Sequence, residues 1–212
     1  MMEIVANVAL ILGCAFCAAQ LFRQPEKLNE HNKTLAMLIT LSVGFIAAAA
    51  IGQLLISEHN QDTQTLQRLL SNMKEYVAIP LIGSLLLATS FSKFWSRAGW
   101  GRWMLALFAL FELFRRAELG GHYAMVLAGL SSAALIIAFA RYSQAEIRVP
   151  GLIGALLASL AIGVYGPLSL LPEYRNEALS HGLLAISLAI LGVATGLIIA
   201  LNQKQETLSP RV

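Results

Sequence analysis

Charged residues are scarce in this chain: Asp, Glu, Lys and Arg make up 13% of its 212 residues, whereas hydrophobic residues make up 57%. An ordinary soluble domain is excluded, because it needs more polar surface than this to stay in water. The net charge of only +3 gives no sign of a nucleic-acid surface. Basic residues are also missing from residues 1–5, so we expect the first apolar stretch to be retained and not cleaved as a signal peptide.

Long apolar stretches fill the chain instead. A membrane-spanning helix needs about 20 mostly apolar residues, and the alternation typical of membrane strands is absent. We predict an all-α, polytopic transmembrane helix bundle with seven spans, the alternative being six spans plus one re-entrant segment at the short, charged fourth stretch. One transmembrane domain is expected over residues 1–201, followed by a short polar cytoplasmic tail, 202–212. The predicted spans are 4–22, 35–56, 69–94, 103–114, 121–140, 151–171 and 179–201.

Basic residues divide unequally between the two sides of these seven spans, ten against five. The split falls to nine against six if the fourth segment re-enters. Basic loop residues favour the cytoplasm, so we predict an amino terminus outside and a carboxyl terminus inside, in the bacterial inner (plasma) membrane. The cytoplasmic set is Arg23, Lys27, Lys33, Lys93, Arg97, Arg102, Arg141, Arg148, Lys204 and Arg211. Trp95, Trp100 and Trp103 flank one of these segments, as an interfacial aromatic belt would.

Ionisable residues gather in the outer half of the predicted bundle. Such groups are costly in a bilayer, so they usually mark a function or pair with one another. Two alternatives stay open: Glu112 pairs with an arginine of its own helix, and Lys74 and Glu75 lie in interfacial water. The predicted substrate-binding residues are Glu112, Arg115, Arg116, His122, Tyr165 and His181.

Three histidines, His59, His122 and His181, fall on this side of the bundle. Three histidines suit a zinc site with an open position, and two suit a haem held between helices. No His-x-x-x-His spacing supports either group. We therefore predict no cofactor and keep zinc and haem as alternatives.

Cysteine is almost absent, and the only two cysteines form a C-x-x-C pair, Cys14 and Cys17, in the first span. Because thiols in apolar surroundings are inert and small residues suit helix contacts, the pair indicates packing. The alternative is a reactive dithiol or part of a soft-metal site.

Small residues also recur in the last span, where Gly192 and Gly196 form G-x-x-x-G. This motif predicts a close helix contact, within the chain or with a second copy or a partner membrane subunit. Membrane lipids are the other expected partners, and no nucleic acid is expected. Residues 60–76 have the periodicity of an amphipathic interfacial helix, either a lid over the outer pocket or a plain connector.

The leading functional prediction is that the protein binds or transports a small solute through the polar site in the outer half, without catalysis. A first alternative is a membrane-embedded, metal-dependent enzyme that modifies lipids, which would require His122 and His181 to meet near an acid. A second alternative is a non-catalytic subunit or sensor that packs against a partner through its glycine faces.

Overall fold

The computed structural model of the protein describes residues 1–23, 28–56, 60–167 and 169–208, and all regular elements within these ranges are helical. A π-helical turn, Met73–Ala78, joins the third helix to the fourth, and a short 3₁₀ turn, Pro172–Tyr174, precedes the last helix. The α-helices are α1 (Met2–Phe22), α2 (Glu30–Leu55), α3 (Gln61–Asn72), α4 (Ile79–Ser90), α5 (Arg97–Arg116), α6 (Gly120–Ala140), α7 (Ala145–Gly163) and α8 (Glu177–Leu208).

Five of these helices, α1, α2, α6, α7 and α8, are long and apolar enough to cross a membrane. The prediction of an all-helical integral membrane protein is confirmed to that extent. The two other predicted spans correspond to shorter or more charged helices, α4 and α5.

Six helices form a closed ring in which each packs against the next, in the order α1, α2, α4, α6, α7, α8. Helix α5 lies outside this ring and contacts α6 and the π turn. Aromatic rings hold it there: Phe111 lies 4.2 Å from Tyr76, and Phe114 stacks 4.7 Å from Tyr123. The position of α5 outside the ring decides which polar side chains reach the interior.

The π turn lies directly before Pro80. Proline has no N–H to donate within a helix, and its ring crowds the carbonyl four residues earlier. The chain widens at this point, and the N–H of Ile79 donates to the carbonyl of Lys74, five residues back. π turns of this kind are frequent at functional sites, and this one carries Lys74 and Glu75.

Glycines bring α1 and α8 unusually close. A Cβ added at Gly192 would lie 2.8 Å from Cys17 Cα, and one at Gly13 would lie 2.5 Å from the carbonyl oxygen of Ala185. Gly192 and Gly196 are both buried. At Gly192 this close contact is made within the chain, by Cys17 of α1; a contact of the same face with a second copy or a partner subunit stays a prediction.

Two predicted helix ends are corrected. The sixth span was predicted to reach residue 171, but α7 ends at Gly163, because Pro167 disfavours helical backbone before it. The N–H of Leu170 donates to the Gly163 carbonyl instead, at 2.8 Å. Helix α8 continues through part of the predicted polar tail to Leu208, and residues 209–212 lie outside the described residues.

The two ends of the bundle differ in character. We call the end that holds Met2, Leu55 and Glu177 the polar end and the other the tryptophan end. At the tryptophan end, the fully buried Asn32 donates from Nδ2 to the Ile199 carbonyl at 3.4 Å and accepts from Asn202 Nδ2 at 3.3 Å. The amide of Asn32 therefore has partners for both its donor and its acceptor.

Candidate functional site

Lys74 is a buried lysine at the polar end, and its side chain is only 5% exposed. Its Nζ lies 3.1 Å from Nε2 of His181 on α8 and 3.5 Å from Oε1 of Glu75. Adjacent residues do not face each other on a regular α-helix, so the π turn is what places Lys74 and Glu75 together. The geometry does not favour the alternative in which these two side chains lie in interfacial water, because they are only 5% and 11% exposed.

The Lys74–His181 contact has a defined direction. A lysine ammonium only donates, so beside a charged Lys74 the Nε2 atom of His181 is the acceptor. Glu75 supplies the compensating negative charge that a buried ammonium requires. Together the three side chains tie α8 to the π turn across the polar end.

A cleft of about 730 Å³ opens beside this contact. Its walls come from the starts of α1 and α8, the end of α2 and one face of α3, and most of its lining residues are polar. Pockets of 300–1,000 Å³ are the usual size for small-molecule sites. The lining residues are Glu3, Ile4, Asn7, Gln53, Leu54, Ile56, Gln64, Gln67, Arg68, Ser71, Asn72, Glu177, Ala178 and His181.

Asn7 is the one deeply buried amide in the wall of this cleft. The residue is 6% exposed, and its Oδ1 has no hydrogen-bond partner in the described part of the protein. Leaving a buried acceptor unpaired costs about 1–3 kcal/mol. Oδ1 has almost no accessible surface, so a ligand N–H or O–H group would bond to it only after a small movement of the wall, and that bond would offset this cost.

Helix α3 forms one wall of the cleft and contacts α2 at two points. Nε2 of Gln67 donates to the Ile56 carbonyl at 3.2 Å, and Leu70 packs so closely on Gly52 that an added Cβ there would lie 2.6 Å from Leu70 Cδ1. The predicted amphipathic helix therefore exists and covers one side of the pocket.

Below the cleft lies a small chamber of about 20 Å³, lined by Lys74, Glu75, Gly166, Pro167 and Ser180 among others. Such a volume accommodates about one water molecule. His181 lines the cleft and Lys74 lines the chamber, so their hydrogen bond stands between the two spaces.

An apolar layer closes the interior beyond this chamber. Ile79, Ile162 and Leu184 line both the chamber and the next void, which has a volume of only about 10 Å³. The rest of its lining is apolar except for one serine: Ile46, Ile82, Leu135, Ala158, Ser187, Leu188 and Leu191. A void of this size leaves no room for a solute, so the polar spaces end at this layer.

The predicted site residues on α5 do not join the cleft. Glu112 accepts from Nε of both Arg115 and Arg116 at 2.8 Å, and both arginine side chains are more than half exposed. Because α5 packs outside the ring, the structure does not bring Glu112, Arg115 or Arg116 to the bundle interior. Their assignment to substrate binding stays a prediction without support from this geometry.

The remaining predicted residues separate as well. His122 is exposed on α6, and Tyr165 lies beyond the end of α7, half-buried, with its carbonyl accepting from the Asn176 N–H at 2.9 Å. His181 is buried, 3% exposed, and of the six predicted residues it is the one that lines the cleft. The structure therefore does not bring the six predicted side chains together in one layer.

The candidate metal ligands do not converge either. His122 is exposed whereas His181 is buried against Lys74, and His59 lies outside the described residues. Within the described ranges, no group of three or more His, Cys, Asp or Glu side chains is placed to hold a metal ion. The zinc and haem alternatives keep no geometric support in this part of the chain.

Cys14 and Cys17 lie on the face of α1 that contacts α8, where they are 2% and 1% exposed, and they are not bonded to each other. Cys17 packs directly against Gly192. This geometry favours the packing interpretation of the pair.

Sequence reasoning missed Asn7 and the amides of α2 and α3 that line the cleft. A signal for Asn7 was present, since it falls in phase with the buried stripe of α1 that continues through Leu10, Cys14, Cys17 and Leu21. A polar residue on a stripe otherwise used for packing must face other protein groups or a ligand.

Comparison with known proteins gives no match: no family model, no curated protein and no solved structure is similar to this chain. Function is therefore inferred from the geometry of the cleft.

Proposed function

We propose that this membrane protein binds a small polar solute in the cleft at its polar end, as the first step of transport. The observation that carries the proposal is the unpartnered Oδ1 of Asn7, buried in the wall of a cleft of about 730 Å³. Amide side chains both donate and accept hydrogen bonds, and the lining also includes Glu3, Glu177 and Arg68. This mixture suits a neutral or zwitterionic solute with several hydrogen-bonding groups.

The order of spaces along the bundle supports transport over simple storage of a ligand. The cleft, the Lys74–His181 contact, the small chamber and the apolar layer follow one another from the polar end inwards. A solute in the cleft would meet a polar contact first and an apolar closure second. In this arrangement the protein is open at the polar end and closed beyond it.

We further propose that the chain crosses the membrane seven times as a single domain, with the polar end outside the bacterial inner membrane. Two points support seven spans. Helix α3, the π turn and α4 run without a break over 61–90, and α5 has 20 residues, about 30 Å of helix, which is enough to span. The ten-to-five division of basic residues supports the orientation.

The proposed function is tested by measuring thermal stabilisation of the purified protein with panels of free amino acids, sugars and polyols. We expect one class to stabilise the protein saturably, with Kd raised about fivefold in Asn7→Leu, since one lost hydrogen bond is worth about 1 kcal/mol. The matched control is Gln61→Leu, which removes an exposed amide of α3 that does not line the cleft.

Two results would contradict the proposal. Either no class of solute stabilises the protein, or Asn7→Leu and Gln61→Leu bind the solute equally well. Where a solute does bind, its uptake into proteoliposomes distinguishes transport from binding alone. A bound solute that never crosses would favour the sensor alternative.

A further inference from the structure

A second groove lies at the tryptophan end, where α4 ends and α5 begins. It has a volume of about 340 Å³ and is lined by Leu87, Phe91, Lys93, Trp95, Trp100 and Trp103, with Ser84 and Ala88 at its base. It is separate from the polar cleft, and its lining is apolar apart from Lys93 and Ser84. Among the residues that the structure describes, no acidic side chain lines it.

The tryptophan rings form the walls of this groove. Trp95 lies 5.0 Å from Trp100 and 6.5 Å from Trp103, the latter in an edge-to-face arrangement. Trp103 donates from Nε1 to Ser84 Oγ at 3.0 Å, and Trp100 is buried. Trp100 and Trp103 are therefore held in place before anything binds, which lowers the entropic cost of binding, whereas Trp95 is half exposed.

Lys93 is held at the mouth of the groove by the way α4 ends. Ser92 adopts a left-handed backbone, φ 54°, while the N–H of Lys93 donates to the Ala88 carbonyl at 2.9 Å. The N–H of Ser92 donates to the Thr89 carbonyl at 3.0 Å. This pair of bonds is the Schellman motif, which fixes the backbone just beyond a helix.

Positive charge at this mouth is uncompensated within the described residues. Lys93 is exposed and forms no ion pair there, whereas Arg97 is paired with Glu30 at 2.9 Å. The Arg141 guanidinium lies 3.8 Å from the centre of the Phe91 ring, on the edge of the same groove. The groove therefore combines an apolar, aromatic interior with cations at its rim.

We propose that this groove binds one anionic phospholipid, with an acyl chain along the tryptophan rings and the phosphate at Lys93. Charge complementarity selects the anionic class, because a zwitterionic lipid brings no net negative charge to Lys93 and Arg141. Tryptophan favours the membrane interface, where headgroup and acyl chain meet, and basic residues at that level attract anionic lipid.

The protein offers a direct spectroscopic test, because its only three tryptophans, Trp95, Trp100 and Trp103, all line this groove. The full chain is reconstituted into phosphatidylcholine vesicles that contain the same fraction of brominated phosphatidylglycerol or brominated phosphatidylcholine. Bromine quenches tryptophan only at short range, so quenching reports the lipid in the groove. We expect the anionic lipid to be enriched about fivefold at the quenching site, as about one cation near the surface would produce.

The matched variants are Lys93→Gln and Lys33→Gln, both at exposed lysines of the tryptophan end, of which only Lys93 lines the groove. We expect Lys93→Gln to abolish the preference for phosphatidylglycerol and Lys33→Gln to keep it, with unchanged helical circular dichroism in both. Equal quenching by the two lipids would overturn the proposal. So would a preference that survives Lys93→Gln, or one that both variants lose equally, since that would indicate a general surface effect.

Discussion

Two buried asparagines at opposite ends of the bundle should respond with opposite sign to the same substitution. Asn7 is 6% exposed with Oδ1 unpartnered in the described chain, whereas Asn32 is fully buried and bonded through both Nδ2 and Oδ1. Leucine has the same number and branching of side-chain heavy atoms as asparagine, and it removes the polar group from each site. Because burial is similar, the difference between the two variants isolates the effect of hydrogen bonding.

The expected magnitudes follow from the partners. In Asn7→Leu, an unsatisfied acceptor disappears, so we expect the free energy of unfolding to rise by about 1 kcal/mol, the low end of the cost of an unpaired buried group, because the cleft beside it is open. In Asn32→Leu, two hydrogen bonds disappear and the Asn202 amide loses its partner. We expect a loss of about 2 kcal/mol there.

The measurement is reversible unfolding in mixed micelles with an increasing fraction of sodium dodecyl sulfate, followed by far-ultraviolet circular dichroism. The same preparations are tested for solute binding, which Asn7→Leu should weaken although the protein is more stable. A variant that gains stability and loses binding cannot be explained by misfolding. If Asn7→Leu is as destabilising as Asn32→Leu, then Asn7 is a structural residue and the argument for the site is refuted.

Three further predictions concern topology, the cysteines and the histidines. A reporter fused after Val212 should be active in the cytoplasm and one placed near Asn60 should be exposed outside; finding both on one side would refute the seven-span arrangement. Cys14 and Cys17 should stay reduced and react slowly with a water-soluble maleimide in intact membranes, because both are at most 2% exposed; rapid labelling or a disulfide would restore the redox interpretation. His181→Gln should weaken solute binding severalfold, because His181 lines the cleft, while His122→Gln, at an exposed position, should leave binding unchanged; equal effects would show that the Lys74–His181 contact has no special part in binding.

The helices could be predicted from the sequence because each apolar stretch carries its own signal. Hydropathy over about 20 residues depends on composition alone and does not require knowledge of the neighbours. The end of α7 at Gly163 was missed because the apolar composition continues to Leu171 while Pro167 ends the helix earlier. Hydropathy measures transfer into the membrane and does not measure whether the backbone remains helical.

The site was harder to predict, because position along a helix is encoded locally whereas the direction a side chain faces depends on the neighbouring helices. Glu112 and His181 were placed at one depth, yet α5 packs outside the ring and Glu112 pairs with its own arginines. Burial of Asn7 could have been predicted from the sequence, since the packing stripe through Cys14 and Cys17 continues back to it at helical spacing. For the π turn that carries Lys74, the only indication in the sequence was Pro80.

The π turn also bears on how a solute would pass the closed interior. Passage requires separation of the side chains in the apolar layer, which come from α2, α4, α6, α7 and α8. Of the helix segments around that layer, the stretch just before α4 is the one with π-helical hydrogen bonding, and Ile79 at its end lines both the chamber and the apolar void. Lys74 lies on the same turn and contacts α8 through His181. If the protein transports its solute, as we propose, we expect a ligand that competes for His181 to act on this segment, so that binding in the cleft is coupled to opening of the layer through one turn of helix.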